Sequence, residues 1–186
     1  MADSIPPFAQ LPELTLSLRS FGSRRGRGRG RANSSDATPE HDIQERYFAP
    51  LLEARRRAAA ATAPEAIVSA FDGRRLTALF DAMMRAFAAE RFTKKLPARR
   101  AFEAELFELV APLRTALHRL RECGDAFTAA AAAEQQQQCW AVWVTQLQAT
   151  FRIADDGWPP LLEALEAPSL QPREERGLRS RTTGRQ

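Results

Sequence analysis

The chain has 186 residues, one domain's length, with 27 Lys and Arg against 23 Asp and Glu and a net charge of +4. No run of about eighteen apolar residues is present to cross a membrane, and two cysteines are too few for a disulfide scaffold. The positive charge sits at the ends: residues 1–39 hold six Arg against Asp3, Glu13 and Asp36, residues 168–186 hold five Arg against Glu174 and Glu175, and residues 40–167 are net −2.

Residues 1–37 read as a disordered Arg/Gly-rich tail. Pro6, Pro7 and Pro12 come first, then "GSRRGRGRGR" at 22–31. Glycine gives backbone freedom, like charges repel, and little apolar surface remains to offset the entropy of ordering. "ELTLSL" alternates like a strand but has no partner strand in the sequence. The Arg and Ser richness of this region resembles an organellar transit peptide, which Asp3, Glu13 and the early prolines oppose. Arg24, Arg25, Arg27, Arg29 and Arg31 are candidate nucleic-acid contacts, because guanidinium groups fork onto phosphate and stack on bases. A solvated tail explains them equally well, and a GC-rich coding sequence also enriches Arg and Ala.

Order is expected from 38 to 167. Thr38 suits an N-cap and Pro39 a first helical position. Ile43, Tyr47 and Leu51 follow at helical spacing, with Pro50 predicting a kink or a split. Pro64 opens a short helix that Asp72 and Gly73 stop. A third segment, 74–92, places Leu76, Leu79, Phe80, Met83, Phe87 and Phe92 on one side, with Met84 peripheral.

"TKKLP" breaks the chain before a fourth segment starting at Pro97 or Ala98. Its stripe of Phe102, Leu106, Leu109, Val110, Leu113, Leu117 and Leu120 continues through Pro112, so that proline predicts a bend and not a stop. Gly124 is expected to end this helix, and Asp125 to cap a long fifth helix through the Ala/Gln run to Trp140, Trp143, Val144, Leu147 and Phe151. "DDGWPP" is expected to end it before a last short helix, and 168–186 reads as a second disordered basic tail. The resulting fold class is all-α: one antiparallel bundle of about five helices between two tails.

The chemistry-bearing residues are few. His41 and His118 stand beside no marked nucleophile, and Cys123 and Cys139 lack zinc-ligand spacing. Glu103, Glu105 and Glu108 read as a solvated face that can pair with nearby arginines. The three tryptophans read as core. No catalytic residue, metal site or cofactor is expected.

The second basic feature is "RFTKKLPARR". Arg91, Lys94, Lys95, Arg99 and Arg100 are five cations in ten residues without an acid. Lys94 and Lys95 complement a helix C-terminus, whereas Arg99 and Arg100 sit against the positive end of the next helix, which suggests an external anion. Arg55, Arg56 and Arg57 form a weaker third patch.

Three readings remain open. The chain is a non-enzymatic helical subunit of a larger intracellular assembly with protein partners, or an RNA-binding accessory module, or an enzyme whose site is invisible in sequence. The expected setting is a reducing compartment, cytoplasm or nucleus ahead of an organelle matrix.

Overall fold

The computed structural model describes residues 5–11, 39–92 and 97–166. Those residues form a 3-10 turn, Phe8–Gln10, and helices α1 (Pro39–Ala60), α2 (Pro64–Ala70), α3 (Gly73–Arg91), α4 (Pro97–Ala129) and α5 (Ala133–Glu166). Among the described residues there is no strand, so the fold is all-α. Among the described residues no helix is long and apolar enough to cross a membrane. Most of the 1–37 segment, the 93–96 connection and the 168–186 segment lie outside the described residues.

Part of the segment read as a tail is packed on the body. Phe8 is buried, with its ring 5.7 Å from Phe71, and Ile5 and Leu11 lie against the same core. Residues 5, 8 and 11 recur every three positions, which matches the three residues per turn of a 3-10 helix. The prolines and the Arg/Gly alternation that follow conceal this short apolar period.

In α1, Tyr47, Leu51, Ala54 and Ala58 are buried at steps of four and three, the seam of a helix facing a neighbour. Pro50 lies inside α1 without splitting it. Its missing N–H deprives the Arg46 carbonyl of its helical donor, yet the buried stripe runs straight past it. Edge-on ring contacts fix α1 to α3, with Tyr47 5.3 Å from Phe87 and Phe48 6.1 Å from Phe80.

The break between α2 and α3 is where the sequence puts it, with an added role for Asp72. Its Oδ1 accepts from the backbone N–H groups of Arg74 at 2.9 Å and Arg75 at 3.4 Å, capping α3. Gly73 is required by proximity: a Cβ there would lie 1.9 Å from the carbonyl oxygen of Leu117 on α4. The stripe of α3 differs from the expected one. Leu76, Phe80, Met84 and Ala88 are buried at steps of four, Met83 is only partly buried, and Leu79 is 41% exposed. Met84 therefore takes the core role expected of Met83.

The longest helices form an antiparallel hairpin. Phe127 near the end of α4 packs on Trp140 near the start of α5 at 5.7 Å, and farther along Gln146 Nε2 donates to the Ala116 carbonyl at 3.3 Å. The turn lies at 130–132, not at Gly124. Gly124 is buried inside α4 because the apolar face continues through Leu120, Gly124 and Phe127. A Cβ on it would meet Val68 Cγ1 at 2.9 Å, so α2 crosses α4 at this glycine. Asp125 is then a mid-helix residue, not a cap. At the other end α5 continues through Asp155, Gly157, Pro159 and Pro160 to Glu166. Leu147, Phe151, Ala154 and Leu161 keep one buried face across that stretch, so the expected stop does not occur.

The core joins all these elements. Trp143 is fully buried and stacks on Trp140 at 5.1 Å. Phe71 bridges to Trp143 at 6.1 Å and Phe151 at 6.0 Å. Trp140 and Trp143 are core, as their spacing predicts.

Candidate functional site

On α4, Arg100, Phe107, Arg114 and Arg121 recur every seven residues. Seven residues are nearly two helical turns, so these side chains leave one flank of the helix with a drift of about 20° per step. This flank adjoins the apolar stripe of α4 and borders α3. On α3, Arg74, Asp81 and Arg85 occupy the facing flank. The two rows meet in a seam.

Ring and charge contacts organise its middle. The guanidinium carbons of Arg85 on α3 and Arg114 on α4 each lie 5.7 Å from the centroid of the Phe107 ring. One partly buried ring thereby holds two cations from different helices through its quadrupole. Arg114 Nη2 also donates to Asp81 Oδ2 at 3.1 Å, tying α4 to α3. The carboxylate is the more buried partner, and its Oδ1 is shielded from solvent and takes no hydrogen bond among the described residues. One acid thus offsets one of two neighbouring arginines and leaves a surplus.

Toward the start of α3 the seam widens into a groove of about 740 Å³. Arg74, Thr77, Asp81, Arg114, His118, Arg119, Arg121 and Glu122 are among its walls. Arg121 Nε is 3.4 Å from Asp125 Oδ2, and His118 Nδ1 is 3.2 Å from Glu122 Oε1. Among the described residues neither Arg74 nor Arg119 has an ion-pair partner. The groove's walls carry four Arg against Asp81 and Glu122, a surplus of two positive charges without counting His118. Chemically it presents forked N–H donors and two threonine hydroxyls, Thr77 and Thr115, suited to an anion with several oxygens.

The residues nominated from sequence fall differently. Arg24, Arg25, Arg27, Arg29, Arg31, Lys94 and Lys95 lie outside the described residues. Arg91 is the last residue of α3. Arg99 Nε donates to Glu103 Oε1 at 2.9 Å, a partly buried pair that gives this cation an internal partner against the unfavourable dipole. Arg100 is exposed on the first turn of α4 and shares the flank of Phe107 and Arg114. Of the third patch, Arg56 and Arg57 both pair with Glu53, at 2.9 and 3.1 Å.

Among the described residues no cluster of His, Cys, Asp and Glu is arranged to hold a metal ion. Cys123 and Cys139 are free, partly buried thiols. Burial pushes the Cys123 thiol up from its ordinary range, and Glu122 and Cys139 add to the shift, which disfavours the reactive thiolate. The groove residues were missed in sequence because they are spread over 74–122 and interleaved with apolar positions. The seven-residue recurrence on α4 was the available signal. Comparison of the chain with protein-family models, with curated proteins and with solved structures gives no match.

Proposed function

We propose that this chain is a non-enzymatic interaction subunit of an intracellular assembly, and that its partner is a single-stranded nucleic acid held along the α3–α4 seam. The body is a bundle of about five helices, and its basic ends add non-specific attraction to the same partner. The observation that carries this reading is the pair of arginines from two helices held on the Phe107 ring, continuous with the unpaired Arg74 and Arg119 in the groove. A guanidinium held against a ring is pre-organised, so less rotamer freedom is lost when it meets a phosphate or a base. Single-stranded RNA is preferred over duplex because the Arg/Gly repeat at 22–31 suits an irregular backbone.

The test is fluorescence anisotropy of a mixed-sequence RNA oligonucleotide with the full chain across a salt series. Substituting Arg74, Arg119 and Arg121 together by Gln is expected to weaken binding at least about tenfold and to flatten the salt slope by about two, since each phosphate contact on a single strand contributes about 0.7. Deleting 22–31 is expected to weaken binding while leaving the effect of the triple substitution in place. Unchanged affinity and slope in the triple variant would remove the seam as the interface.

A further inference from the structure

A second cavity, of about 440 Å³, lies between α1, α3, α4 and α5, away from the arginine groove. Its walls include Tyr47, Phe48, Phe80, Met84, Leu113 and Leu161, each no more than 5% exposed. Two residues bring charge to it, Glu108 on α4 and Asp156 on α5, both exposed, and no Arg, Lys or His lines it among the described residues. In a chain with net charge +4, that is a local reversal of sign.

The helix breakers add a second, independent feature. Pro112 lies four residues after Glu108 and Pro160 four residues after Asp156, both inside continuous helices, and both prolines line the cavity. A proline has no N–H, so the carbonyl four residues earlier loses its helical donor. Each of the two helices therefore brings one carboxylate to the cavity, and in each the same residue's carbonyl lacks the donor that a non-proline residue would supply. Two carboxylates and no cationic side chain among the described residues line the cavity, while its interior offers apolar surface. Gly157 also lines the cavity, and a Cβ there would meet nothing within 4 Å.

We infer that this cavity binds a small cationic amphiphile, an apolar chain or ring system bearing a primary ammonium group. The size and apolar walls suit a compact small molecule whose body replaces water in the cavity. The ammonium is a cation with three donors and no acceptor, which complements the two carboxylates and the lack of any lining cation. An alcohol finds the same walls without the charge, and a carboxylate meets two like charges.

The chain's single tyrosine lines the cavity, so 3-fluorotyrosine places one fluorine reporter in the site. The full chain so labelled is titrated with decylamine, decanol and decanoate below their aggregation limits, and the fluorine resonance is followed. Decylamine is expected to shift it saturably, and decanol to do so more weakly. The double substitution Glu108→Gln with Asp156→Asn, at exposed positions, is expected to weaken decylamine about tenfold and to leave decanol unchanged. A resonance that decylamine does not move, or that decanoate saturates as readily, overturns the inference. So does an undiminished decylamine affinity in the double variant. Because the reporter and both substitutions are remote from Arg74, Arg119 and Arg121, RNA binding is expected to be the same in both proteins.

Discussion

The two ends of the helical body use glycine in opposite ways. Near the α4–α5 turn, Gly73 and Gly124 are points of closest approach, where α3 meets the backbone of α4 and α2 crosses over it. Near the other end, Gly157 faces open space and prolines stand in both α4 and α5 beside a cavity of about 440 Å³. One end is closed by removing side chains so that backbones can touch. The other keeps helical continuity through its prolines, beside a glycine that borders open space. A core of one continuous apolar cluster can therefore be rigid at one end and hollow at the other, and the hollow end is the one suited to a ligand.

The largest expected effect that tests this contrast is at Gly73. Alanine there would place its Cβ 1.9 Å from the Leu117 carbonyl oxygen, and that oxygen belongs to a helix backbone that cannot rotate aside. Gly73→Ala is expected to cost about 3 kcal/mol or more in chemical denaturation, at the upper end of overpacking penalties. A variant as stable as the parent would show that α3 and α4 are not in close contact there. Gly124→Ala comes next. Its Cβ would meet Val68 Cγ1 at 2.9 Å, a side-chain atom on a short helix, and alanine regains about 1 kcal/mol of helix propensity. A net loss of about 1–2 kcal/mol is expected. The double variant with Val68→Ala tests the cause: the glycine substitution should cost less in that background than alone, by at least about 0.5 kcal/mol. Strict additivity would assign the loss elsewhere.

What the sequence could and could not reveal follows from the same contrast. The face of α4 was legible because Phe102, Leu106, Val110, Leu113, Leu117 and Leu120 are large and recur at steps of three and four, all of them buried. The face of α3 was misjudged because one of its buried positions is Ala88, too small to stand out, and Leu79 and Met83 fit steps of three and four from Leu76 and Phe80 as well as Met84 does. Gly124 resembles a helix terminator to any reader without the third dimension, since its reason is Val68, 56 positions earlier. Pro159 and Pro160 resemble a stop because the local rule is stronger than the distant fact that Leu161 is buried. The candidate groove was harder still. Charge density drew attention to 91–100, whereas the seam collects arginines spaced by two to fourteen residues on two helices, and spacing of that kind has meaning only when the two helices are known to lie side by side.

The smallest expected effect is the most discriminating for the hollow end. Gly157 is a helix-interior glycine whose missing Cβ would touch nothing within 4 Å. By helix propensity alone, alanine should stabilise the chain by about 0.5–1 kcal/mol, because glycine loses more backbone entropy on folding and no contact opposes the added methyl. Thermal or urea denaturation of Gly157→Ala resolves that gain, and its sign is opposite to that expected for Gly73→Ala and Gly124→Ala, made by the same chemical change. A loss of stability instead would mean that the space beside Gly157 is filled, and that α4 and α5 close on each other at this end as tightly as they do near the turn. The cavity and its two carboxylates would then have no opening, and the contrast between the two ends would disappear with it.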